Sequence, residues 1–219
     1  MDLYYNSVRL VGLNLAWGLG IAMVYLASLA TPLGALLLAV LLALPTVGLF
    51  RVAALIVRHE PAALSDGFGA WRLFLRPALV GGAVLLLLAI VLLIDLSGGL
   101  DSGDMVGVAF ATMACWGLVI VGTLACCWWP LLVDPAYPGR SGRASLRLAG
   151  YLLIAHPLRM ASLALLVATI LLISTVLLAA IVTVSLAFCA LIACHYVLPA
   201  ADRLEQQLST KPAPEATRR

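Results

Sequence analysis

The sequence predicts an all-α polytopic membrane protein: six transmembrane helices, two amphipathic interfacial helices on the cytoplasmic side, and both termini inside. Three observations carry that prediction. The first is composition. Of 219 residues, 64% are hydrophobic and 11% charged, and mean hydropathy is +1.12, against about half apolar and a quarter charged in soluble domains. Lipid must be the solvent for most of this surface. The second is the alternation of long apolar runs with short polar stretches. The third is charge placement. Six crossings from a cytoplasmic N-terminus put all 13 Lys and Arg on one side, as the positive-inside rule requires. The outer loops hold only Asp95, Asp101 and Asp104. Five crossings would export the four cations of the tail.

Val8–Ala30 is long enough to cross a hydrocarbon core of about 30 Å at 1.5 Å per residue. Ser28 and Ala30 would suit signal-peptide cleavage, but a single arginine, a competing Asp2 and two tyrosines ahead of the run favour a retained span. Thr31-Pro32-Leu33-Gly34 makes a turn. The second span, residues 33–57, carries Pro45 near its middle, which removes a backbone hydrogen bond and kinks the helix.

Residues 61–77 organise the chain. Leu64, Phe68, Trp71 and Leu75 recur at helical spacing, with Arg72 and Arg76 largely elsewhere, so this segment is expected to lie in the headgroup plane. Gly67 and Gly69 weaken the helix on propensity. Ser65, Trp71, Arg76 and Pro77 have looser counterparts in Ser145, Tyr151, His156 and Pro157. In each copy a span enters, an amphipathic stretch follows, and a proline opens the next span.

The third span covers 77–96 and is followed by an acidic loop, 97–104. Met105–Val133 is the fourth span, ending in the Trp128-Trp129-Pro130 belt. Residues 134–145 form a loop into the second surface segment, where Arg140, Arg143 and Arg147 supply positive charge. Residues 160–198 carry no charge and would reach about 58 Å as one helix, so they read as two spans with a turn at Ser174-Thr175. Residues 1–200 thus form one transmembrane domain, and 201–219 a polar, disordered cytoplasmic tail.

Candidate chemistry is sparse. Intramembrane ionisable residues mark function by default, and here Asp95 sits at an outer span end. Asn14 is expected to bond a neighbouring helix. Cys126, Cys127, Cys194 and His195 offer soft metal ligands, but adjacent helical residues point roughly 100° apart and no C-x-x-C spacing occurs. No Walker, nucleophile-elbow or zinc-hydrolase motif is present. No catalytic residue, cofactor or metal is therefore expected, and no nucleic acid, because the arginines do not form one basic face. Ala16 and Gly20, and the Gly81-Gly82 pair, permit close helix packing. The candidate membrane-surface or partner contacts are Phe68, Trp71, Arg72, Arg76, Arg143, Arg147, Tyr151 and His156.

Asn14-x-x-Trp17, the Thr31-Pro32 turn with Gly34 and Leu36, Trp71 through Arg76, Trp128 through Leu132, and the Arg147-to-Pro157 segment resemble the YesL-like family of bacterial integral membrane proteins. The likeness spans residues 8–208. Where that family tends to carry lysine and asparagine ahead of spans three and five, this chain has Arg76-Pro77 and His156-Pro157. The resemblance implies a non-enzymatic accessory or scaffold protein of the bacterial inner membrane, placed beside carbohydrate ABC transport or its regulation, with permease subunits, the lipid bilayer or a second copy as partners. Two other readings stand beside it: a small transporter or channel built on a parallel repeat, and a module binding anionic lipid through Arg72, Arg76, Arg143 and Arg147.

Overall fold

A computed structural model describes residues 3–176 and 185–210. Among them the chain is helical with no strand: α1 (Leu3–Ala30), α2 (Pro32–Leu41), α3 (Ala43–Val57), α4 (Leu64–Leu73), α5 (Leu75–Ser102), α6 (Met105–Val133), α7 (Gly142–Ala155), α8 (Pro157–Val176) and α9 (Leu186–Thr210). Six segments are long and apolar enough to cross a membrane, with α2 and α3 together making the second. The chain is a multi-pass membrane protein.

Local chemistry explains the boundaries. Thr31 caps α2 by accepting from the Gly34 N–H at 3.3 Å. The second span breaks at Leu42, three residues before Pro45, because that proline cannot donate to the carbonyl of Leu41. The Leu42 carbonyl accepts from both the N–H and the hydroxyl of Thr46, the latter at 2.7 Å, and Thr46 accepts in turn from Trp17 Nε1 at 3.1 Å.

Three expected boundaries move. The acidic loop 97–104 is helical as far as Ser102, and only Gly103, with φ 66°, and Asp104 join α5 to α6. Gly99 serves close approach here and not a turn: a Cβ on it would lie 2.5 Å from the Gly107 carbonyl oxygen. Helix α8 runs through Ser174 and Thr175, so the expected turn is not at that pair. Ser174 instead accepts from the Ser185 hydroxyl, and residues 177–184 lie outside the described residues. The tail expected from 201 onward is helical to Thr210, because Ala201 and Leu204 are buried and Asp202 and Glu205 find cationic partners. Residues 211–219 lie outside the described residues.

Packing is polarised along the bundle. Buried side chains concentrate where α3, α6 and α9 end, between Val47 and Leu55, Cys127 and Val133, and Ala190 and Leu204. Phe50 stacks on Trp129 with ring centroids 6.4 Å apart. Asn14, fully buried, accepts from the Ala187 N–H at 2.9 Å and so satisfies a donor in the first turn of α9. Toward the opposite end, α1, α2, α5 and α6 expose apolar side chains such as Leu29, Leu37, Ile94 and Met113.

The small residues act within the bundle. Gly20 receives the Leu42 side chain, Gly82 meets Ala43, and Gly81 lies under the Trp128 ring. Gly67, which propensity marks as a weakness of α4, is where α4 crosses α3. A Cβ on Gly48 would lie 2.7 Å from the Gly67 carbonyl oxygen. From that crossing α3 continues about 15 Å further to Arg58.

Candidate functional site

The ends of three spans carry ionisable groups: Arg58 after α3, Asp134 after α6 and Asp202 within the last turns of α9. The fold brings them together. Arg58 Nε and Nη2 donate to the two oxygens of Asp134 at 3.1 and 2.6 Å. Its Nη1 and Nη2 donate to the two oxygens of Asp202 at 2.6 and 3.0 Å. One guanidinium thus makes two forked pairs, the geometry that arginine supports and lysine does not.

The Asp134 side chain is only 1% exposed, a burial that demands pairing. Its Oδ1 also accepts from the Ala136 N–H at 3.1 Å, which turns the chain away from α6. Arg51 Nη1 donates to the Val133 carbonyl at 2.7 Å, covering an orphan acceptor of the helix end. The hydrogen bonds from Arg58 to Asp202 and then to Asp134 hold the guanidinium pKa above its ordinary value, against the opposing effect of burial.

A second pair extends the cluster. Arg140 bonds Glu205 of α9 and lies over the Tyr137 ring, 4.2 Å from its centroid. Desolvation, then the neighbouring Glu205, pushes the Tyr137 phenol up. The loop after α6 is therefore tied to α9 twice, through Asp134 by way of Arg58 and through Arg140. None of these five ionisable residues stood out in the sequence. Arg58 and Arg140 read as topogenic charge, Asp134 as loop and Asp202 with Glu205 as tail.

The residues that the sequence singled out divide into groups. Phe68 and Trp71 form an edge-to-face pair, centroids 5.0 Å apart. Phe68 is exposed, whereas Trp71 is half-buried against Gly48, and its Nε1 is buried without a partner among the described residues. Arg72, Arg147 and Tyr151 are exposed. His156 occupies the break between α7 and α8, its N–H donating to the Leu152 carbonyl at 2.9 Å. Arg76 and Arg143 line one groove between α5, α6 and the start of α7.

The cysteines do not converge on a metal. Cys127 packs against Met160, with sulfurs 3.4 Å apart, and Cys194 lies against the Phe50 carbonyl. His195, one residue on, is exposed. Among the described residues no group of three His, Cys, Asp or Glu side chains could hold an ion. No protein-family model, curated protein or solved structure matches this chain.

Proposed function

We propose that the chain is a non-enzymatic accessory protein of the bacterial inner membrane, with its N-terminus cytoplasmic, whose charged end serves as a scaffold for another membrane protein. A permease subunit of a carbohydrate ABC transporter is the partner class that the family resemblance suggests. The observation that carries this reading is the stub formed by the ends of α3, α6 and α9. It extends about 15 Å beyond the α3–α4 crossing, and Arg58, Asp134, Asp202, Arg140 and Glu205 are committed to ion pairs within it. A guanidinium held in two forked pairs supports a stiff platform better than a substrate ligand.

With α4 and α7 lying in the headgroup plane, the stub projects into the cytoplasm, and the rings of Phe68 on α4 and Tyr151 on α7 are exposed. Aromatic and arginine side chains are the types enriched at interface hot spots. Purification from native membranes in mild detergent, with mass spectrometry of what accompanies the protein, tests this. The wild type is expected to bring down permease or ATPase subunits in stoichiometric amounts. The Phe68→Ala/Tyr151→Ala double variant is expected to lose them while its own elution and thermal unfolding stay unchanged. A partner retained by that variant, or a wild type that emerges only with itself, overturns the reading.

A further inference from the structure

The groove between α5, α6 and α7 has a volume of about 550 Å³, and its walls follow from helical spacing. Arg76, Val80, Val84 and Leu88 stand at i, i+4, i+8 and i+12 along α5, so one stripe runs from a cation into purely apolar surface. Leu124 and Trp128, four apart on α6, form the facing wall.

The floor is built around Gly81. A Cβ there would lie 1.9 Å from Trp128 Cη2, so only glycine lets the indole approach α5 this closely. Trp128 Nε1 donates to the Gly142 carbonyl at 3.2 Å and thereby fixes the first turn of α7 over the mouth. Ser141 caps α7 by accepting from Ala144. That leaves the Gly142 and Arg143 N–H groups of the first turn beside the Arg143 side chain. From Arg76 to Leu88 the stripe measures about 18 Å, close to one leaflet of a hydrocarbon core of about 30 Å.

We infer that this groove binds an anionic phospholipid of the leaflet on the charged side. One acyl chain lies along Val80, Val84, Leu88 and Leu124, and the phosphate sits at the mouth between Arg76, Arg143 and the first turn of α7. Complementarity at both ends selects this occupant. The slot is apolar over one leaflet depth, and two arginines with a helix N-terminus meet at the level where a headgroup phosphate stands. The structure also divides the four arginines that the sequence assigns to lipid contact. Arg76 and Arg143 belong to the groove, whereas Arg72 and Arg147 lie outside it.

The test is native mass spectrometry of the full chain in mild detergent, titrated with dioleoyl phosphatidylglycerol or dioleoyl phosphatidylcholine. The wild type is expected to retain the anionic lipid preferentially, one molecule per chain. Arg76→Gln/Arg143→Gln is expected to weaken phosphatidylglycerol binding by about 30-fold, whereas Arg72→Gln/Arg147→Gln changes it by no more than about threefold. Val84 is exposed, so Val84→Trp fills the slot without disturbing the core and is expected to abolish retention of both lipids. Equal binding of the two lipids by the wild type overturns the assignment and gives the groove to another occupant, such as a helix of a second copy. Equal losses from the two arginine pairs also overturn it, because they would reduce the effect to diffuse surface charge.

Discussion

The two halves of this bundle face different solvents, and the sixth and third spans show it most clearly. Of the most apolar 18-residue window of α9, 44% is buried within the protein, whereas none of the corresponding window of α5 is. Yet α5 is the more hydrophobic, with a mean hydropathy of 2.8 against 1.3. Apolar side chains in lipid gain nothing by turning inward, so the strongest hydrophobic signal marks surface and the weaker one marks core. The charged end obeys rules closer to those of a soluble protein, with interlocking side chains and paired charges, although Trp71 Nε1 and Arg140 Nη1 are buried there without a partner among the described residues.

The sharpest way to break that contrast is to remove the clasp that Arg58 forms with Asp134 and Asp202. Arg58→Ala leaves Asp134 buried without its partner and is expected to cost about 3–5 kcal/mol in equilibrium unfolding in mild detergent. Arg58→Lys keeps the charge but cannot fork to two carboxylates, and its loss should fall between wild type and Arg58→Ala. A null effect of Arg58→Ala would mean that the charged end is not packed as described.

Glycine substitutions sharpen the comparison at smaller magnitude. Gly48→Ala pushes a methyl against the Gly67 carbonyl backbone and is expected to cost about 1–3 kcal/mol. Gly98→Ala, in α5 with open space around it, is expected to be neutral or to stabilise by up to about 1 kcal/mol. Melting temperatures of the two variants check this, and equal losses would erase the difference between the halves. Ile94→Ala on the lipid-facing surface of α5 should stay within about 0.5 kcal/mol.

The smallest effect concerns the α5–α6 hairpin. Asp104 caps α6 by accepting from the Gly107 N–H at 2.7 Å, and it also bonds Ser102. Those bonds, the Gly107 one first, hold its carboxyl below the ordinary range. A carboxyl depressed by folding stabilises above its unfolded pKa, and that contribution is lost as pH falls through the folded value. Acidification below the usual carboxylate range should therefore lower the melting temperature slightly more in the wild type than in Asp104→Asn. An identical pH profile for the two would remove the cap from the account.

How much of this was legible in the sequence depends on the range of each interaction. Helical periodicity and run length are local, so the six spans, a distortion of the second span by Pro45 and the bonding of Asn14 to a neighbouring helix could be read directly. The sequence put the kink at Pro45, whereas the helix breaks at Leu42. Glycines misled twice in the same direction. Gly98-Gly99 suggests a loop and Gly67 a weak helix, but Gly99 and Gly67 are sites of close backbone approach, which depend on a partner helix that the sequence does not name. The clasp was illegible for the same reason. Arg58 pairs across 76 and 144 residues, and no local spacing encodes such a pair. One clue was present: each of its members follows directly on, or closes, an apolar run. Charges confined to the ends of spans are candidates for one another before they are candidates for water or lipid headgroups.

A double-mutant cycle on Arg58 and Asp134 tests the central claim most directly. Arg58→Ala, Asp134→Ala and the pair would be compared by equilibrium unfolding in the same detergent. If the charged end is a self-satisfied platform, the double variant should be more stable than the sum of the single losses implies, with a coupling of about 2 kcal/mol or more. Additivity within about 0.5 kcal/mol would contradict the account. It would mean that Asp134 is held without the guanidinium, and the charged end would no longer be the stiff platform that the scaffold reading needs.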